Sequence, residues 1–257
     1  MRVKERIKSY LSFENRMELR LFKNNLRALF FFGSNFYCVC CNRSFRKFLP
    51  YGNVSRKNAM CPYCASLERT RLLNLYLLNE TDIFIKKKKT LHFAPEYMLS
   101  KKLRNSLKND YVSSDLDPSV ADIQQDIQSL TFKDTVFDYV ICCCVLGHVA
   151  DEIKAIDEIY RVLKIGGTAI INTVINLKEF ETLELSGVSS EDERLKFYGE
   201  KDLLRLHGLD FRERLARKNV KIEMVDYSLK YSKEENKRQS LGNKERELFF
   251  VIEKLDK

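Results

Sequence analysis

Thr90–Asp115 reads TLHFAPEYMLSKKLRNSLKNDYVSSD. Leu91–Ala94 reads as a strand and Tyr97–Leu107 as a helix. Tyr111–Asp115 is a second strand that ends in a carboxylate. The same alternation continues downstream. A short segment around Ile123–Ile127 comes first, and Phe137–Leu146 follows as a long, nearly uncharged run suited to a strand buried on both faces. Ala150–Leu163 is a helix with apolar Ile153, Ile156, Ile159, Tyr160 and Leu163. A glycine turn at Lys164–Gly167 is expected to end it, before a strand over Thr168–Val174. Val220–Tyr227 and Leu248–Glu253 read as two more strands, expected to pair antiparallel at the sheet edge. Strands alternating with helices predict an α/β fold with a doubly wound, mostly parallel sheet. A ligand of such a sheet binds beyond the carboxyl ends of its strands.

The turns narrow the choice of ligand. Asp115 follows Glu96 by nineteen residues, close to the ~20 at which an acidic side chain reaches a ribose hydroxyl. The chain has no Gly-x-Gly-x-x-Gly, and the turn Phe93-Ala94-Pro95-Glu96 has no glycine at all. A phosphate-cradling loop needs glycine for close backbone approach, so a dinucleotide or nucleoside triphosphate fits poorly. A nucleoside without phosphates fits better. S-adenosylmethionine is one, with adenine, ribose and a charged amino acid end.

The whole chain has 257 residues, 44% of them apolar and 32% charged. That is ample for a packed core, and it excludes wholesale disorder. No window approaches the ~18 uncharged apolar residues of a membrane span. The opening Met1-Arg2-Val3-Lys4-Glu5-Arg6-Ile7-Lys8 does not settle into a signal-peptide core. A cytoplasmic protein is expected. The net charge of +9 is unevenly spread: residues 1–89 hold 19 Lys/Arg against 6 Asp/Glu, which is +13, and the remainder balance to −4. Such a basic front favours an anionic partner, whether nucleic acid, a membrane surface or a phosphorylated substrate.

Five of the eight cysteines lie between positions 38 and 64. Cys38-Val39-Cys40-Cys41 and Cys61-Pro62-Tyr63-Cys64 form two Cys-x-x-Cys knuckles separated by nineteen residues. Reduced thiols at that spacing match a four-thiolate zinc site, with Cys38, Cys41, Cys61 and Cys64 as ligands. Cys40 is left out, because adjacent side chains diverge. Four thiolates leave the ion no open position, so the metal would be structural.

Ahead of this region, Leu19, Phe22, Leu26 and Leu29 make a helical stripe, interleaved with Arg16, Arg20, Lys23 and Arg27 and followed by Phe30-Phe31-Phe32. Such a helix either lies on a membrane surface or packs on its own domain, and packing is the expectation. A peripheral position at the inner membrane surface stays open through it. Ser66 is placed to cap a helix running through Leu72, Leu73, Tyr76 and Leu77. The expected organisation is a basic amphipathic helix over 1–35, a zinc-binding region with a helix over 36–89, and the α/β domain over 90–257.

Several motifs together resemble class I S-adenosylmethionine-dependent methyltransferases, in particular a bacterial subgroup with a zinc-binding front end. The motifs are the cysteine pairs, Phe48-Leu49-Pro50-Tyr51-Gly52, Ser66–Arg69, Leu91–Glu96, Ser114-Asp115-Leu116, Asp126-Ile127 and Phe137-Asp138. They continue through Val145–Val149, Arg161–Gly167 and Gly199–Asp202 with Arg205. The resemblance spans roughly residues 36 to 215 and implies a Rossmann-like fold. It implies that Phe93, Ala94, Pro95 and Glu96 form the turn under the methionine end of the cofactor. Asp115 would hold the ribose hydroxyls beside Leu116, Asp126 would accept from the adenine amino group, and Ile127 would pack on the ring. Cys143 and Cys144 would line the floor. Asp115 and Asp126 are equally open to a role as helix caps, and the Cys142–Cys144 run to plain core packing.

Methyl transfer to oxygen or nitrogen needs a proton acceptor. His148 is the first candidate and Asp202 the second, with His207 behind them. The subgroup carries Glu where Gly147 stands and His where Leu203 stands, so a changed substrate or a non-catalytic relative is an alternative. Relatives of this subgroup look associated with surface polysaccharide, which makes a sugar or other small glycan-related acceptor the expected substrate. An RNA acceptor, met through the basic front, is the other.

Overall fold

The structure, a computed structural model, describes residues 13–242 and 247–256. The opening stretch through Lys8 therefore lies outside the described residues, as do the side chains of Arg16 and Arg20. The described residues begin with helix α1 (Phe13–Leu29). Two small antiparallel hairpins follow, β1 (Phe36–Cys38) with β2 (Arg43–Phe45) and β3 (Leu49–Tyr51) with β4 (Arg56–Met60), and then helix α2 (Glu68–Asn79).

From Thr90 the chain builds one seven-stranded sheet. Its strands are β5 (Thr90–Phe93), β6 (Tyr111–Asp115), β7 (Ile123–Gln124), β8 (Phe137–Cys143), β9 (Leu163–Asn172), β10 (Val220–Val225) and β11 (Phe249–Lys254), in spatial order β10-β11-β9-β8-β5-β6-β7. All neighbours from β9 to β7 pair in parallel, and only β11 runs against its neighbours. The doubly wound, mostly parallel α/β sheet predicted from the alternation is the sheet observed. The last two strands do pair antiparallel, but β11 is inserted between β9 and β10, so only β10 is an edge. Phe249, Phe250 and Ile252 explain this: all three are buried, which suits an interior strand.

Helices cover both faces. Ala155, Ile156 and Ile159 of α4 (Glu152–Val162) pack with Phe211 and Leu215 of the short helix α6 (Phe211–Leu215) over one face. The other face carries Leu72, Leu73, Tyr76 and Leu77 of α2, together with Leu99, Leu103 and Leu107 of α3 (Tyr97–Leu107). Thus α2, the helix next to the cysteine knuckles, is itself a layer of the α/β sandwich. Arg71 fastens it. This guanidinium is fully buried, donates to the carbonyls of Ser66, Ala59, Gln239 and Ser240, and lies 4.9 Å from the Phe48 ring. Two further helices, α5 (Glu191–Tyr198) with a Ser190/Glu193 capping box and α7 (Lys233–Gln239), complete the chain.

Four local expectations are corrected. Ser66 does not cap α2; Leu67 holds that position without a side-chain bond, and the Ser66 hydroxyl faces the thiols of Cys38 and Cys64. The glycines at 166 and 167 do not terminate a helix. They lie in a bulge where β9 has already begun, with Gly166 at φ +72° and the register against β8 shifted. β8 stops at Cys143 rather than Leu146, because Cys144 turns into the left-handed region at φ +55°. Last, α1 buries Leu21, Asn24 and Ala28, while the stripe Leu19, Phe22, Leu26 and Leu29 faces solvent. Asn24 and Arg27 donate to the carbonyls of Tyr63 and Pro62, and this polar seam sets which face turns inward.

Candidate functional site

Strand order reverses at β5, with β6 on one side and β8 on the other, and the carboxyl ends of these strands bound a cavity of 390 Å³. Two residues there adopt left-handed backbone: Ala94 (φ +46°) just after β5 and Cys144 (φ +55°) just after β8. Each is pinned by its own N–H, Ala94 to the Ser114 carbonyl at 3.0 Å and Cys144 to the Asn172 carbonyl at 2.7 Å. Ala94 takes a conformation usually left to glycine, so a tight turn exists here without one.

Phe93, Ala94, Asp115, Leu116, Asp126 and Ile127 line this cavity, as does Cys144, with His148 and Asp202 at its rim. Neither aspartate caps a helix. Asp115 accepts from the N–H of Asp117 at 2.9 Å, and Asp126 accepts from the backbone and side-chain N–H groups of Gln128. These are turns closed two residues on, and they hold each carboxylate at a strand end. Cys143 does not line the floor. Side chains alternate along a strand, so Cys142 and Cys143 enter the cores on opposite faces of the sheet, and burial pushes the Cys143 thiol well up. They are packing residues.

Pro95 and Glu96 face a second, adjoining cavity of 280 Å³ between α1, the second knuckle, α2 and the start of α3. The Glu96 carboxylate accepts from His92 Nε2 at 3.1 Å, while His92 Nδ1 pairs with the Tyr111 hydroxyl at 3.0 Å. Burial works to raise the Glu96 pKa; the His92 hydrogen bond and the nearby charges of His92 and Arg69 outweigh it and lower it, so the group is a carboxylate. The other oxygen, Oε1, stands 3.8 Å from Arg69 Nε, and both atoms are buried without a hydrogen-bond partner. Arg69 lines this second cavity rather than the first. Its signal is visible only once α2 is folded onto the sheet.

At the rim, His148 Nδ1 donates to the Asp202 carbonyl at 3.0 Å and lies 3.6 Å from its carboxylate. That fixes the neutral tautomer with its lone pair on Nε2. His207 is no candidate base. It is fully buried, with Nδ1 on the Thr173 hydroxyl and Nε2 on Glu152, which also binds Arg214. Gly147 and Leu203, forty positions and more apart, touch: a Cβ on Gly147 would lie 2.6 Å from Leu203 Cδ2. Both are buried behind His148 and Asp202, and neither lines the cavity.

The ligand atoms of Cys38, Cys41, Cys61 and Cys64 lie within 4.8 Å of one another. Cys38–Cys64 is 3.6 Å and Cys41–Cys61 is 3.8 Å. Four sulfurs each at about 2.3 Å from one tetrahedral ion would stand about 3.8 Å apart. The two knuckles share one conformation. Asn42 donates to the Cys38 carbonyl and Ala65 to the Cys61 carbonyl, and both residues are left-handed, at φ +54° and +58°. Cys40 is not one of the four, and its thiol donates to the Thr70 carbonyl at 3.7 Å. Hydrogen bonds around the Cys38 thiolate hold its pKa down and push that of Cys41 up, and burial raises Cys61. The set suits a divalent ion.

Among the described residues no helix is long and apolar enough to cross a membrane. Residues 96–171 match a family model described as a methyltransferase domain. No curated protein matches the chain. Solved structures that resemble it include an S-adenosylmethionine-dependent methyltransferase of Mesorhizobium loti (12% identity, 66% of this chain and 91% of that one, TM-score 0.45). Another is a SAM-dependent methyltransferase of Thermotoga maritima (14%, 72% and 95%, TM-score 0.42), and a third is the [4+2]-cyclase SpnF (14%, 75% and 85%, TM-score 0.46). The sheet order and the family match agree: the chain has a Rossmann-like methyltransferase fold, with the methyltransferase-domain pattern running from the turn after β5 to the end of β9.

Proposed function

We propose that this protein is an S-adenosylmethionine-dependent methyltransferase acting on a hydroxyl of a sugar or other small glycan-related acceptor. One observation carries the cofactor half of the reading. Arg69 and Glu96 present unbonded atoms of opposite charge 3.8 Å apart, beside a cavity holding Asp115 and Asp126. A zwitterionic amino acid joined to a nucleoside is the ligand class that satisfies all four groups. When bound, it supplies a methyl group on a sulfonium sulfur. Asp115 accepts the two ribose hydroxyls, and Asp126 with Ile127 takes the adenine. Glu96 holds the ammonium and Arg69 the carboxylate. His148 is the proton acceptor: with Nδ1–H held by Asp202, Nε2 removes the hydroxyl proton, and the Asp202 carboxylate balances the resulting imidazolium. Positioning and exclusion of bulk water supply much of the rate in such a displacement. Zinc at Cys38, Cys41, Cys61 and Cys64 closes the two knuckles and thereby sets the start of α2 at Glu68, the residue before Arg69.

Calorimetric titration with S-adenosylmethionine and S-adenosylhomocysteine tests the cofactor half. Micromolar binding to both, abolished by Asp115→Ala, is expected. Folded, zinc-loaded protein that binds neither, or an Asp115→Ala variant of unchanged affinity, overturns it. Methyl transfer to a panel of glycans and to RNA tests the acceptor half, which fails if RNA alone is methylated.

A further inference from the structure

Helix α1 has two apolar faces and uses one. Leu21 and Ala28 turn inward with Asn24. On the opposite side Leu19, Phe22, Leu26 and Leu29, spaced three, four and three apart, are 48%, 65%, 54% and 71% exposed. Phe30 and Phe32 extend the patch at 77% and 87%. A contiguous surface of this kind marks a place where something binds.

The surrounding charge identifies what. Lys23 is exposed beside Phe22, whereas Arg27 is turned inward onto the Pro62 carbonyl. At the far end the backbone N–H of Arg46 bonds to the Phe31 carbonyl at 2.8 Å, and the charges of Arg46 and Lys47 stand 6.0 and 5.7 Å from the Phe31 ring. Glu18 is turned away, held by Tyr97 and Lys101. We propose that this face lies flat on an anionic lipid bilayer, with the leucine and phenylalanine side chains in the headgroup–acyl boundary and the cations of Lys23, Arg46 and Lys47 against lipid headgroups. The stripe follows the helix axis from Leu19 to Leu29, so the helix lies in the plane of the surface. A second copy of the chain is disfavoured as occupant because a symmetric pairing would bring the cations of both copies together. RNA is the less suited occupant: Phe22, Phe30 and Phe32 offer stacking surface, but the other half of the patch, Leu19, Leu26 and Leu29, is aliphatic and offers none.

Sedimentation of the full chain with vesicles tests this. Binding to equal parts phosphatidylglycerol and phosphatidylcholine is expected to exceed binding to phosphatidylcholine alone by tenfold or more, and to weaken about fivefold for each cation neutralised. The double variant Phe22→Ser with Leu26→Ser, both exposed positions, is expected to lose at least tenfold with unchanged zinc content and fold. The proposal is overturned if the native chain ignores anionic vesicles. It is overturned equally if the double variant binds vesicles as well as the native chain does. Two other results would also overturn it: a native dimer that the same double variant dissociates without any vesicle binding, or RNA capture in place of vesicle capture.

Discussion

Arg69→Leu separates the two ends of the proposed cofactor. The native guanidinium has a buried Nε with no hydrogen-bond partner, facing Glu96 at 3.8 Å. A hydrogen bond to a charged group contributes about 1.5–3 kcal/mol. The Arg69 side chain is 25% exposed, so solvent screening favours the lower part of that range. At about 1.4 kcal/mol per tenfold, S-adenosylmethionine should bind roughly ten- to thirtyfold more weakly. Methylthioadenosine, which keeps the nucleoside and thioether but has no amino acid, should bind the native and Arg69→Leu proteins equally. Glu96 keeps its His92 bond in the variant, so the turn under the cofactor remains in place. Calorimetry with both ligands on zinc-loaded protein provides the comparison. An equal loss for the two ligands would refute the argument, because it would mean that Arg69 shapes the site without touching the carboxylate. So would unchanged affinity for both.

Three other outcomes are expected. Metal analysis of purified protein should give about one zinc per chain, and Cys61→Ser should abolish it and lower the melting temperature; metal-free folded protein would contradict the four-thiolate site. Glu152 has a folded pKa below its ordinary 4.5: burial alone would raise it, but the His207 hydrogen bond and the His207 and Arg214 charges bring it down. Its stabilisation is therefore complete above the ordinary carboxylate value and is lost as pH falls through the depressed one. Glu152→Gln should lower stability at neutral pH and flatten the acid limb of unfolding, and superimposable acid limbs would refute this. Gly147→Glu alone should cost about 1–3 kcal/mol in urea unfolding through overlap with Leu203, and Leu203→His should recover much of it; simple additivity of the two would refute their coupling.

The alternation of strands and helices was legible because β8 and the helices on either side of it follow burial patterns that depend on local sequence. The knuckles were legible from spacing alone. The inward face of α1 was not. Leu19, Phe22, Leu26 and Leu29 are the more apolar stripe, yet the helix docks through Asn24 and Arg27, whose partners are carbonyls of the second knuckle some thirty-five residues away. Cys143 was misplaced for a smaller reason. A run of three cysteines hides the alternation that sends neighbours to opposite faces. The Arg69–Glu96 pair and the Gly147–Leu203 contact escaped because each joins segments that meet only when the sheet has formed. Gly147 and Leu203 are distant in sequence, yet in space they meet.

The attachment of Arg71 bears on the order of events during synthesis. Ser66 and Ala59, two of its acceptors, leave the ribosome with it, whereas Gln239 and Ser240 follow 168 and 169 residues later. At about 5–20 residues per second that interval is on the order of ten seconds or more. Throughout it the four cysteines are already present and able to take up metal, while the guanidinium above them is only half satisfied. The four-cysteine cluster is thus complete long before the last turn of chain arrives to lock α2 onto the sheet.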